Sequence, residues 1–190
     1  TPNGQCELYV KIGLDYKLNE YRACWKLAGQ PLVQRLADKR HAWENDGLDC
    51  LIPNSIAQSM LGYRFICPDM IGGGEFQSFL DGAKIDEELF VRYAQASALL
   101  PMMQFSADPF RVLSKKNAQL CKDSALLHEK LGGQILKHVK NAIENANPVI
   151  APICYYYPGE GENETTSFMY NENFIVSPVL EKGCIESEIY

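Results

Sequence analysis

The sequence has no C-x-x-C pair, no run of lysine or arginine, and no apolar stretch long enough to cross a membrane. Each absence removes a class of protein. Without paired cysteine spacing, the usual zinc and thioredoxin-like patterns are excluded. The seven cysteines are scattered and odd in number, which argues against a disulfide framework. At a net charge of −6, the lack of a basic run weighs against a nucleic-acid partner. Membrane attachment would have to come from a segment outside this chain, and no signal peptide is visible. Of the three histidines, His128 and His138 share one helical region without ligand spacing, so no metal is expected. Gly72-Gly73-Gly74 lacks the Gly-Lys-Ser/Thr ending of a phosphate loop, and no cofactor is expected.

What is present is enough apolar material for a real core. The 190 residues are 46% hydrophobic and 22% charged, the balance of a folded chain rather than a disordered one. The chain opens at Thr1 without a methionine and closes at Ile189-Tyr190 within what reads as a strand, so a longer parent protein is expected.

The first twenty residues read as a helix with its capping region. Short strands are expected at 22–25 and 32–36, split by Gly29-Gln30-Pro31. Residues 47–61 have helical apolar spacing, and 63–67 form a further strand. Residues 85–100 are the best helix, with acids Asp86, Glu87 and Glu88 at its positive end and Pro101 closing it. A strand at 102–106 and a helical region at roughly 114–146, broken at Gly132-Gly133, complete an alternation that argues for a parallel α/β sheet. After Asn147-Pro148 the texture changes. Residues 149–150, 153–157, 167–170 and 174–179 read as β segments with no helix between them, so a domain boundary is expected near 147.

Two of the strands run into a carboxylate. Tyr63 to Cys67 leads through Pro68 to Asp69 and the glycines; Leu32 to Leu36 leads through Ala37 to Asp38 and Lys39-Arg40-His41-Ala42-Trp43. In barrels of alternating strands and helices, chemistry sits at the carboxyl ends of the strands. Paired carboxylates there suit acid/base work on a sugar, and Trp25 and Trp43 offer flat apolar faces for a sugar ring. The same residues also fit plainer roles: Asp69 as a turn cap, Asp38 as a surface acid paired to Lys39 or Arg40, the whole as an unrelated α/β binding module. His41 reads either as a proton shuttle or as a simply exposed loop residue. Asn163-Glu164-Thr165 is a glycosylation sequon in a polar loop, which favours the secretory pathway: endoplasmic reticulum lumen, lysosome or exterior.

Seven runs in order carry a resemblance. They are Asp38-x-x-x-x-Trp43, Gly47-Leu48 with Leu51-Ile52-Pro53, Met60-Leu61-Gly62-Tyr63, Pro68 to Gly73, Glu88 to Tyr93, Leu100 to Ser106, and Val176 to Gly183. Together the chain resembles glycoside hydrolase family 31, the α-glucosidase-like retaining glycosidases, and within it the branch of myogenesis-regulating glycosidases. The resemblance implies the C-terminal part of a (β/α)8 TIM barrel over 1–147, followed by the start of an all-β sandwich over 148–190. It implies Asp38 as the catalytic acid/base and Arg22, sixteen residues ahead, as a sugar-binding arginine. Asp69 matches a substrate-side acid. Arg35, Trp25, Trp43, Gln104 and Ser106 complete the expected substrate-binding set for a carbohydrate partner, an α-glucoside or α-galactoside. The family's nucleophilic acid would lie upstream of Thr1, so the isolated chain is expected to be inactive.

The chain also departs from the pattern. Ala37 replaces the usual glycine, Arg40 and His41 replace an acid and a serine, and Gln104-Phe105-Ser106 stands where Arg-Asn-His is common. The lost histidine opens α-galactosides as substrates. The cluster Lys39-Arg40-His41 is expected to hold Asp38 ionised, against the needs of a general acid, which admits a catalytically inactive, carbohydrate-binding or interaction protein as the alternative.

Overall fold

The computed structural model describes residues 1–22, 27–80 and 82–190. Helix α1 (Pro2–Gly13) is capped by the Thr1 hydroxyl, which accepts from Gly4 N. Three short strands follow: β1 (Glu20–Arg22), β2 (Val33–Arg35) and β3 (Phe65–Cys67). They lie side by side in that order, all parallel, with Arg22, Arg35 and Cys67 level at their carboxyl ends. The expected parallel α/β sheet is therefore present. The strand expected at 22–25 is seen only as far as Arg22, because 23–26 lie outside the described residues.

A 3₁₀ turn (Leu48–Cys50) and helix α2 (Leu51–Met60) connect β2 to β3. Pro53 falls in the first turn of α2, where no backbone donor is lost, and Ile52, Ser55, Ile56 and Ser59 form its inner face. Beyond β3 the chain reaches helix α3 (Glu87–Ser97) through a second 3₁₀ turn (Phe76–Phe79). Asp86 caps α3 by accepting from Leu89 N at 3.2 Å, with Glu87 and Glu88 in the first turn. Leu89, Phe90, Tyr93, Ala94 and Ala96 form its buried face.

Several expectations are corrected. The strand at 102–106 shrinks to one parallel bridge, in which Ile71 N donates to Gln104 O at 2.7 Å and Ser106 N to Ile71 O at 3.1 Å. After the single turn α4 (Pro109–Val112), helix α5 (Lys115–Asn145) runs 31 residues without a break at Gly132-Gly133. Two helical glycines cost about 1 kcal/mol each, and burial of Ile135, Val139 and Ala142 against the core outweighs that. Residues 153–157, expected as β, open with one helical turn, α6 (Ile153–Tyr156). An apolar run this short carries no period by which strand and helix can be told apart.

The last regular element is the antiparallel hairpin β4 (Phe168–Asn171) and β5 (Phe174–Val176). Phe168, Tyr170 and Val176 join the same apolar cluster as α2, α3 and α5. Ala151 and Met169 exchange both backbone bonds at 2.8 Å, tying 149–151 to the hairpin. Residues 184–190, read from sequence as ending in a strand, have no regular structure.

Candidate active site

The level ends of the strands bring four of the expected residues into direct contact. Arg35, the last residue of β2, lies between β1 and β3. Its Nε donates to Glu20 at 2.8 Å, and its Nη1 donates to Asp38 at 2.9 Å and to Asp69 at 2.8 Å. From β1, Arg22 donates through Nη2 to the same Asp38 oxygen at 2.6 Å and through Nη1 to Leu36 O at 2.8 Å. Strand alternation puts Glu20 and Arg22 on one face, so both flank Arg35.

The two carboxylates face different surroundings. Asp38 is 42% exposed at the mouth of the network, whereas the Asp69 side chain is 0% exposed. Asp69 Oδ2 accepts from Lys39 N at 2.5 Å and Gly74 N at 2.7 Å, so three donors hold it from within. Glycines allow the loop after β3 to come this close. A Cβ on Gly73 would meet Lys39 O at 2.7 Å, and one on Gly74 would stand 2.6 Å from Asp69 and 2.8 Å from Asp38.

Gly74→Ala is therefore expected to push the carboxylates apart and cost about 1–3 kcal/mol. Gly132→Ala, mid-helix and in open space, should gain about 0.5–1 kcal/mol. Thermal unfolding of the full-length protein measures both, and equal effects would refute the close approach.

Burial pushes the Asp38 carboxyl up, but the hydrogen bonds from Arg35 and Arg22 outweigh it and hold Asp38 below the usual carboxylate range. The cause differs from the one expected. Lys39 is 2% exposed, and its ammonium lies 3.4 Å from the exposed carboxylate of Asp46; Arg40 is exposed. His41 Nδ1 lies 2.8 Å from Gly72 O, and its Nε2 accepts from Asp86 N at 2.9 Å. Among the described residues, the ion pairs of Asp38 are with Arg22 and Arg35.

The remaining expected residues lie around this network. Gln104 approaches the Cys67 thiol at 4.0 Å, and burial pushes that thiol up to about 12. Ser106 donates its hydroxyl to Ile71 O at 2.5 Å. Trp43 packs against the core and donates Nε1 to Asp86 at 3.1 Å. Trp25 lies outside the described residues. Asn163 is exposed in a turn remote from this network in sequence. Among the described residues no group of His, Cys, Asp and Glu is arranged to hold a metal ion, and no helix is long and apolar enough to cross a membrane.

Sequence reasoning missed Glu20 and Asp86, and took Gly74 only as one of the glycines after Asp69. Glu20 was legible as the i−2 neighbour of Arg22, had the strand been started two residues earlier. Asp86 was read only as a helix acid, yet it binds Trp43, Leu89 N and, at 2.7 Å, Lys182.

Burial would raise the Asp86 carboxyl, but the bonds from Lys182, Trp43 and Leu89 lower it from 3.8 to about 2. Its contribution to stability is complete above about pH 4 and is lost as the pH falls through about 2. Lys182→Ala should therefore lower stability by a small amount at about pH 5–7, small because Lys182 is largely solvent-exposed, and leave it unchanged below about pH 2. A difference that is the same near neutrality and at about pH 2 would show that the pair does not form.

No family model matches the chain. It is 31% identical over 182 residues to the myogenesis-regulating glycosidase of Mus musculus, covering 92% of this chain and 25% of that protein. It is likewise 31% identical over 171 residues to the SITS-binding protein of Tetronarce californica, covering 88% and 24%. The chain thus spans about a quarter of the length of the curated relatives it matches. Among solved structures, the glucosidase II alpha subunit superposes with a TM-score of 0.71 at 20% identity, over 87% of this chain and 18% of that one. A glycoside hydrolase family 31 sulfoquinovosidase from E. rectale does so with a TM-score of 0.63 at 20% identity, over 80% and 23%. Likeness at these identities concerns the fold, that of a partial α/β barrel region. By sequence the chain is similar to part of these longer curated proteins, and by fold to part of a glycoside hydrolase family 31 structure.

Proposed function

We propose that this chain is the acid/base part of a retaining α-glycosidase that removes terminal α-linked glucose or galactose from oligosaccharides or glycans. The observation that carries the reading is Asp38, partly exposed at the carboxyl ends of three parallel strands and held by two arginines. In this reading residues 1–147 belong to the catalytic barrel and 148–190 begin a β-sandwich.

Asp38 protonates the departing glycosidic oxygen, then takes a proton from the water that releases the sugar. Retention needs a second carboxylate about 5–5.5 Å away as nucleophile. Asp69 does not suit that part, because its carboxylate is fully buried and holds three N–H donors. The nucleophile would come from elsewhere in the parent protein. Its charge would also oppose the arginines and raise Asp38 towards a working acid. Arg22, 49% exposed, keeps donors free for sugar hydroxyls, and Gln104 lies beyond Cys67 on the same sheet end.

The test is hydrolysis of α-glucosides and α-galactosides by the full-length protein, with NMR of the first product. The α-anomer appearing first supports retention; a β-anomer first, or no turnover, counts against it. A secretory location accompanies the reading, with a glycan on exposed Asn163. Loss of a gel shift on Asn163→Gln would check it.

A second reading rests on the depressed Asp38 carboxyl, which is the wrong state for a general acid. In it the protein binds carbohydrate or another partner without cleaving, as a relative named for binding rather than hydrolysis suggests. Saturable sugar binding without turnover would favour it.

A further inference from the structure

We propose that His41 is a positioning residue for Asp38, acting in its neutral form through both ring nitrogens; the inference rests on the acid/base reading of Asp38. His41 lies three residues after Asp38, on the same loop. Asp86 N can only donate, so the Nε2 that faces it at 2.9 Å carries the lone pair. Gly72 O can only accept, so Nδ1, at 2.8 Å, carries the proton. The two partners thus select one tautomer, and the ring is completed by an edge contact to Phe79 at 5.8 Å. It is neither a shuttle with a free nitrogen nor a solvated loop residue.

The two bonds tie the Asp38 loop to two other elements. One runs to the glycine loop after β3, and two residues on from Gly72 stands Gly74, the residue wedged against both carboxylates. The other runs to the cap of α3, where Trp43 of the same loop also donates to Asp86. Residues 38–43 are therefore held at their start by Lys39 N on Asp69 and at their end by His41 and Trp43 on Asp86. Removing the His41 bonds leaves residues 39–43 to their own turn bonds, such as Arg40 N to Asp46 O at 2.9 Å, but unties that turn from Gly72 and from the Asp86 amide, and so lets the Asp38 oxygen drift from Arg22 and Arg35. Displacement of a catalytic group on this scale costs up to about 100-fold in rate.

The experiment uses the full-length protein with azide present, which takes over the second step without a base, and compares a methyl α-glycoside, which needs acid help, with an α-glycosyl fluoride, which needs little. His41→Phe keeps the ring against Phe79 and removes both bonds; His41→Gln keeps one donor and one acceptor. His41→Phe is expected to lower kcat on the methyl glycoside about 10–100-fold and on the fluoride less than about threefold, with His41→Gln within about threefold of wild type on both. Equal losses on the two substrates, or none, while Asp38→Ala shows the leaving-group pattern, overturn the positioning role alone. If Asp38→Ala loses both substrates equally, the acid/base reading fails first and this inference with it. Nitrogen NMR of histidine-labelled protein gives a readout independent of turnover. A protonated Nδ1 with a bare Nε2 at neutral pH supports the inference, and the opposite tautomer or a cationic ring overturns it.

Discussion

Asp38→Ala in the full-length protein should lower turnover of a methyl α-glycoside about 10²–10⁴-fold, the usual contribution of a general acid, while an α-glycosyl fluoride loses far less in the first step. Methoxide is a poor leaving group and departs only as it is protonated; fluoride leaves with little such help. The variant also lacks a base for the second step, so azide, which attacks without deprotonation, should restore turnover of the fluoride by giving a glycosyl azide. The site supports this pattern physically. Asp38 is partly exposed where substrate would enter, and its arginine partners fix its orientation without burying it. A loss of equal size on both substrates, with no azide rescue, would remove Asp38 from the acid/base role.

Asp69→Ala is expected to have the largest effect on stability, about 3–5 kcal/mol, as for other buried ion pairs broken from one side. The substitution leaves Arg35 without its inner acceptor and two backbone donors, Lys39 N and Gly74 N, unpaired. Chemical unfolding of the full-length protein measures it. Combining it with Arg35→Met should cost less than the sum of the two single changes, because the second removes the charge the first strands. A loss below about 1 kcal/mol would mean that Asp69 is an ordinary turn cap. Turnover would fall as well, since Lys39 follows Asp38 directly and loses its anchor.

Much of the fold was open to sequence reasoning wherever the signal was local. Helix α3 could be read from its acids, its apolar spacing and Pro101, and β3 from an apolar run ending in Pro68-Asp69-Met70 and glycines. The errors fell where local signals conflict with packing. Gly132-Gly133 read as a break, yet α5 continues because apolar residues beyond them reach the core. Residues 153–156 carry β-type side chains but form a helical turn, since four residues are too few to show a period. The strand expected at 102–106 survives only as a single bridge between Ile71 and Phe105.

At the site the division is similar. By itself the sequence determined that carboxylates stand at the ends of two apolar strands, that glycines follow one of them, and that Arg22 lies sixteen residues before Asp38. Those are properties of neighbours along the chain, set by alternation, caps and turns. Only the tertiary structure decided which charges meet. Lys39, adjacent to Asp38 in sequence, is buried and pairs with the exposed carboxylate of Asp46, while Arg35 reaches Glu20 fifteen residues away and Asp69 thirty-four residues away. Parallel register levels the strand ends and so chooses those partners, and register follows from burial of whole faces rather than from any local pattern. The same tertiary contact turned His41 from a loop histidine into a tie between three segments, because both its partners are backbone groups whose sequence position says nothing of where they point.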